Sequence, residues 1–173
     1  MIRLLLPLAL IAAPAAAQDS PVGPGPLISE YGPIAPVEGH TPIPPDTQFK
    51  VAFDTAAPGG RELNRTLESA ARFLNMHVAA GVPAERMTLA VVVHGRAVGD
   101  VTQAGGAGGG PPNPNAALVA ALLAHGTRII VCGQSAAGLG IAKADLLPGV
   151  EMALSAMTAH ALLQQEGYTL NPF

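Results

Sequence analysis

Three apolar runs in the chain each end on a residue able to do nucleophilic or acid–base chemistry: VAFD at Asp54, LAVVVHG at His94 and IIVCG at Cys132. An ionised thiol attacks sulfur and metals, an imidazole takes or returns a proton near neutral pH, and a carboxylate orients either of them. Cys132 is the only cysteine, so it forms no internal disulfide and is either buried and inert or exposed and reactive. The residues after it, Gly133, Gln134 and Ser135, can present backbone N–H groups and a helix start, features that lower a thiol's pKa. His94 stands beside Gly95, where it serves either as a base for Cys132 or an anchor for a bound anion, or as a satisfied core histidine. Asp54 is expected to bond backbone N–H groups of the turn at 55–60, as aspartates after strands do. Asn64, in the helical turn nearest the strand ends, either donates to a ligand or makes a hydrogen bond at the core edge. The candidate site is therefore catalytic Cys132 and His94, with Asp54, Asn64, Gly133, Gln134 and Ser135 lining it.

Cys132 and His94 supply two soft metal ligands, whereas a catalytic zinc needs three from the protein and a structural zinc four, so no metal is expected and metal binding is the weakest reading. His77 lies on a helix flank near its end, His125 in a last helical turn where a cation suits the dipole, and His40 and His160 have no partners by spacing; all four read as surface residues. No GxGxxG follows the first strand pattern and no P-loop is present; the glycines at 105–110 lack the strand-glycine-helix context. No cofactor is expected.

The three chemical residues meet only if their runs are neighbouring parallel strands, whose ends lie along one carboxyl edge. The pattern supports that. A strand over 49–54 precedes a helix over 61–80, in which Leu63, Leu67, Ala70, Ala71, Leu74 and Val78 recur at helical spacing and Gly81 with Pro83 gives the stop. The unbroken 89–93 run reads as a strand covered on both faces. Gln103 to Pro112 cannot hold a regular element. Asn113 caps a helix with Pro114 at its first position, and Gly126 closes it. A third strand at 128–132, a short helical segment around 142–146, a fourth strand at 150–154, a helix opened by Ser155 and running to 165, and a fifth strand at 168–170 complete the alternation. The fold class is α/β: a three-layer flavodoxin-like domain with a mainly parallel sheet of about five strands.

Ahead of this domain, Arg3, an apolar core at 4–13 and the small residues Ala15, Ala16 and Ala17 form a signal-peptide pattern, so export to the periplasm and a mature start near Gln18 are expected. The core is too short for a membrane span, and none is expected after cleavage. Residues 18–48 (PVGPGP, YGPIAP, TPIPP) read as an extended irregular arm. Leu27, Ile28, Tyr31 and Ile34 are spaced to dock on the domain or a neighbouring subunit; the alternative is a flexible linker. Charged residues make up 12% of the chain and the net charge is −3, which leaves no basic field for nucleic acid.

The run Gly126-Thr127-Arg128-Ile129-Ile130-Val131-Cys132-Gly133-Gln134-Ser135, followed by Gly140-Ile141, resembles the cysteine strand and turn of the DsrE/DsrF-like family. KVAFD at 50–54, VVVHG at 91–95, and LLPGVE with LQQEGY within 146–168 resemble its exported branch. The resemblance covers about Pro45 to the C-terminus. It implies a DsrE-like α/β domain over 49–173 that assembles into trimers or hexamers and carries sulfur as a persulfide on Cys132, in exchange with a donor or acceptor protein. The alternative is an oligomeric module that binds a small ligand without turnover; a thiol at a pocket mouth favours transfer, a sealed one favours binding.

Overall fold

The computed structural model describes residues 21–103 and 112–172; the expected signal peptide (1–17) and most of the Gly-rich stretch lie outside them. Five strands, β1 (Phe49–Thr55), β2 (Met87–Val93), β3 (Arg128–Cys132), β4 (Glu151–Ala153) and β5 (Thr169–Asn171), form one sheet in the order β4-β3-β2-β1-β5. Every pairing is parallel. Four α-helices connect them: α1 (Arg65–Ala79), α2 (Ala116–Ala124), α3 (Gly133–Gly138) and α4 (Ala156–Gln165). This is the flavodoxin-like three-layer arrangement that the alternating pattern predicts.

Handedness decides which helix lies on which face. From β1 to β4 the chain steps steadily in one direction, so right-handed crossovers carry α1, α2 and α3 on one side of the sheet. The return from β4 to β5 reverses direction and passes behind three strands, and the same hand places α4 on the opposite side. Two apolar layers result. The larger one joins Phe53, Leu67, Leu74, Leu89, Val91, Leu118 and Leu122 under α1 and α2. The smaller one contains Ala52, Ala90, Val92, Ile130, Ala159, Leu163 and Tyr168 under α4. Because β2 lies between both layers, Leu89 to Val93 are all buried, which is why that run is apolar without alternation.

Several boundaries differ from the sequence pattern for local reasons. Helix α1 begins at Arg65, because the Asn64 side chain accepts the Thr66 and Leu67 N–H groups and caps it there. Helix α2 begins at Ala116 behind Asn115, since the Asn113 side chain accepts the Asn115 N–H and donates to the Asp100 and Thr102 carbonyls. A 3₁₀ helix, Gly95–Val101, buries Ala97, Val98 and Val101 where no regular element was expected. Helix α3 starts immediately after Cys132, and the helical segment expected around 142–146 is a short 3₁₀ turn, Lys143–Asp145.

The arm from residue 21 onward is docked. Ile28 is buried in the larger layer, with Leu27, Tyr31 and Ile43 packed against it. The fully buried Asn75 of α1 holds it: Oδ1 accepts the Leu27 and Ile28 N–H groups, and Nδ2 donates to the Ile28, Tyr31 and Gly32 carbonyls. Arg72 Nε adds a bond to the Pro33 carbonyl. Composition alone gives this segment no reason to order; a partner on the domain supplies one.

Candidate functional site: a thiol between two helix starts

Strand parity brings the three chemical residues to one side. Ala52, Val92 and Ile130 face α4, so Asp54, His94 and Cys132, each two residues later, project from the same face at the carboxyl edge. Val93 pairs with Val131, so one further step sets His94 beside Cys132 on adjacent strands.

Cys132 ends β3 at the point where connections diverge: the chain after β3 goes to one face as α3, and the chain after β4 goes to the other as α4. Such a switch point opens a crevice at the strand ends. Both helix starts are turned toward the sulfur. Cys132 is the N-cap of α3, its Sγ accepting the Ser135 N–H at 3.4 Å, and the Gln134 and Ala156 N–H groups are turned toward it. Ser135 contributes twice. Its hydroxyl oxygen accepts the Gly95 N–H at 2.9 Å, which leaves its single proton to point at the thiol. Burial pushes the Cys132 thiol up, but the Ser135 hydroxyl and the Ser135, Ala156 and Gln134 amides outweigh it, and the net shift is below the ordinary thiol value. Cys132 is nonetheless only 6% exposed.

Two glycines make this geometry possible. A Cβ on Gly133 would lie 2.6 Å from the Ala153 carbonyl oxygen, so only glycine lets α3 start this close to β4. Gly95 adopts φ +54°, a left-handed turn that delivers its N–H to Ser135.

Beside the thiol, Asp54 bridges two imidazoles. Its Oδ2 is 3.0 Å from His94 Nε2, and its Oδ1 is 2.8 Å from His160 Nε2, on α4. A carboxylate can only accept, so both histidines carry a proton on Nε2. Burial pushes the Asp54 carboxyl up, the bonds from His160 and His94 pull it further down, and the result is a lowered pKa. Two expectations are corrected here. Asp54 does not cap the 55–60 turn, where the Gly59 N–H instead donates to Asp100 Oδ2 at 2.8 Å. His160 is no ordinary surface residue: at 19% side-chain exposure it is a partner of Asp54. Its signal was present in the sequence, since Ala156, Ala159, His160 and Leu163 share one helical face.

His94 donates to Asp54, and among the described residues no hydrogen bond joins it to Cys132. Asn64 is buried away from this site: its amide donates to Asp100 Oδ2 and the Ala57 carbonyl while its oxygen caps α1. Gln134 approaches the thiol through its backbone. Among the described residues no group of three or more His, Cys, Asp or Glu side chains is arranged to hold a metal ion, and no helix is long and apolar enough to cross a membrane.

The profile of the DsrE/DsrF-like family matches residues 50–172, and the chain belongs to that family. Two solved structures share the fold. One is a protein of unknown function from Methanobacterium thermoautotrophicum, 20% identical, with a TM-score of 0.51 over 74% of this chain and 100% of the other. The second is the ychN protein from E. coli, 17% identical, with a TM-score of 0.51 over 73% of this chain and 99% of the other. No curated protein sequence matches the chain.

Proposed function

We propose that this protein is an exported, sulfur-handling member of its family in which Cys132 accepts and passes on sulfane sulfur as a persulfide. The observation that carries the reading is the place of the Cys132 sulfur at two helix starts, where it accepts the Ser135 N–H at 3.4 Å and the Ser135 hydroxyl and the Gln134 and Ala156 N–H groups are turned toward it. A thiol that merely fills a core needs no such donors. In the reaction, the Cys132 thiolate attacks the outer sulfur of a donor persulfide R–S–SH. A new S–S bond forms as the old one breaks, R–S⁻ leaves, and Cys132 keeps the transferred sulfur with its proton. Sulfur moves at constant oxidation level, so no external oxidant enters. The Asp54–His94–His160 group lies at the same edge, where an imidazole can protonate the departing thiolate.

Incubating the mature protein with a sulfane-sulfur donor and weighing it by mass spectrometry tests this. The expected product carries one added sulfur on Cys132 and is absent in Cys132→Ser. A native thiol that alkylates only after denaturation and never gains sulfur would remove the proposal. One observation favours the second reading, a module that binds a small ligand without turnover: Cys132 retains only 6% of its surface. Under that reading the donors around the sulfur hold a ligand anion, and wild type and Cys132→Ser stay equally unmodified.

A further inference from the structure

We propose that His160 is a positioning residue for Cys132, acting through helix α4: its bond to Asp54 fixes the helix so that the Ala156 N–H stays on the sulfur. This rests on the reading of Cys132 as a reactive thiolate.

Helix α4 is the element that reaches from the Cys132 strand end to β1. Cys132 pairs with Ala153, and three residues on, at the first residue of α4, the Ala156 N–H is turned toward the sulfur. One turn later, His160 Nε2 donates at 2.8 Å to Asp54, two strands away from β3 in the sheet order. Residues four apart in a helix share a face, so the His160 side chain lies on the side of α4 that Ala156 packs against the sheet. The apolar layer between α4 and the sheet contains seven buried residues, two of them from α4 itself, and such contacts are non-directional. They resist lifting the helix more than sliding it. A hydrogen bond is directional and weakens steeply with misalignment, so the His160–Asp54 contact sets the axial position that apolar packing leaves loose. The C-terminal end is tied separately, by Arg128 Nη1 to Glu166 at 3.2 Å. At the N-terminal end the Ser155 cap bonds within the helix itself. His94, which shares the Asp54 carboxylate, holds that acceptor in place from the neighbouring strand.

The test is the pH dependence of Cys132 alkylation by iodoacetamide in the mature protein. Wild type should show a midpoint below about 8.5. His160→Ala should raise it by roughly half a unit, the scale of one helix-end contact, and so cut the alkylation rate at pH 7 about threefold. His160→Gln, which keeps a donor at similar reach, should return most of the shift; a purely structural role would not link the thiol midpoint to that donor. A low wild-type midpoint that stays unchanged in folded His160→Ala overturns this inference alone. An ordinary wild-type midpoint removes the thiolate reading beneath it. If His160→Ala does not fold, His160→Leu, which fills the space without a donor, carries the comparison, and an unchanged midpoint there overturns the inference equally.

Discussion

At the residue level the thiol's environment is an outcome of competing terms. Burial alone would raise the pKa of the Cys132 thiol, and the Ser135 hydroxyl with the Ser135, Ala156 and Gln134 amides outweighs it, so the net shift is downward. Ser135 is the donor most open to test, because its hydroxyl is itself oriented by the Gly95 N–H. Ser135→Ala keeps the backbone bond to sulfur but removes the hydroxyl. Since the folded pKa is lowered, losing a donor moves the alkylation profile to higher pH, by roughly one unit for a hydrogen bond to a charged group; an unmoved profile would refute the role. Asp54 gives a second pH effect of the same sign. Its lowered carboxyl pKa contributes stability that is present above its unfolded value of about 3.9 and is lost as pH falls through the folded value. Asp54→Asn should therefore flatten the acid limb of thermal stability measured between pH 5 and 2, endpoints that bracket about that unfolded value. Asp54, His94 and Cys132 were legible as the ends of apolar runs. Their pairing was not, because hydrogen-bond choice depends on His160, which arrives from a helix far along the chain.

Elements set these positions through close approaches and through partners remote in sequence. Gly133 is the sharpest case of the first. Gly133→Ala would drive a Cβ to 2.6 Å from the Ala153 carbonyl oxygen and 3.2 Å from that of Leu154, forcing β4 and the start of α3 apart. A loss of about 1–3 kcal/mol in chemical denaturation is expected, as for other overpacked sites, with a raised thiol midpoint beside it. Asn75 is the case of the second. Asn75→Ala removes five hydrogen bonds to the arm and leaves buried amides and carbonyls unpaired. The arm should then become a substrate for limited proteolysis between residues 21 and 48 while the domain resists. Equal protection of the arm in the variant would show that apolar docking of Ile28 suffices. The pattern of strands and helices could be read from periodicity because each element buries a continuous face. The arm's order and the Gly95–Val101 turn could not, since their stability comes from contacts across the fold and not from local propensity.

For the molecule as a whole, topology explains an asymmetry that matters for assembly. One helix covers the β4-to-β5 face, and apolar side chains on or beside it remain outside any layer: Leu154 is 72% exposed and Met157 80% exposed. Both adjoin the Cys132 site, since Leu154 follows β4 and Met157 lies in the first turn of α4. With charged residues at 12% of the chain, few solvating groups dilute this patch. Export is tested first, by the N-terminus of the protein from its native host, which should begin near Gln18; retention of Met1 in a cytoplasmic product would contradict it. On that mature chain, light scattering at micromolar concentration should give a trimer or hexamer, the assembly that family resemblance implies and that would cover the exposed apolar surface. Met157→Glu puts a charge into the patch, so it should lower the mass toward the monomer. A wild-type monomer would count against assembly, and a full-sized Met157→Glu oligomer would move the interface to another face.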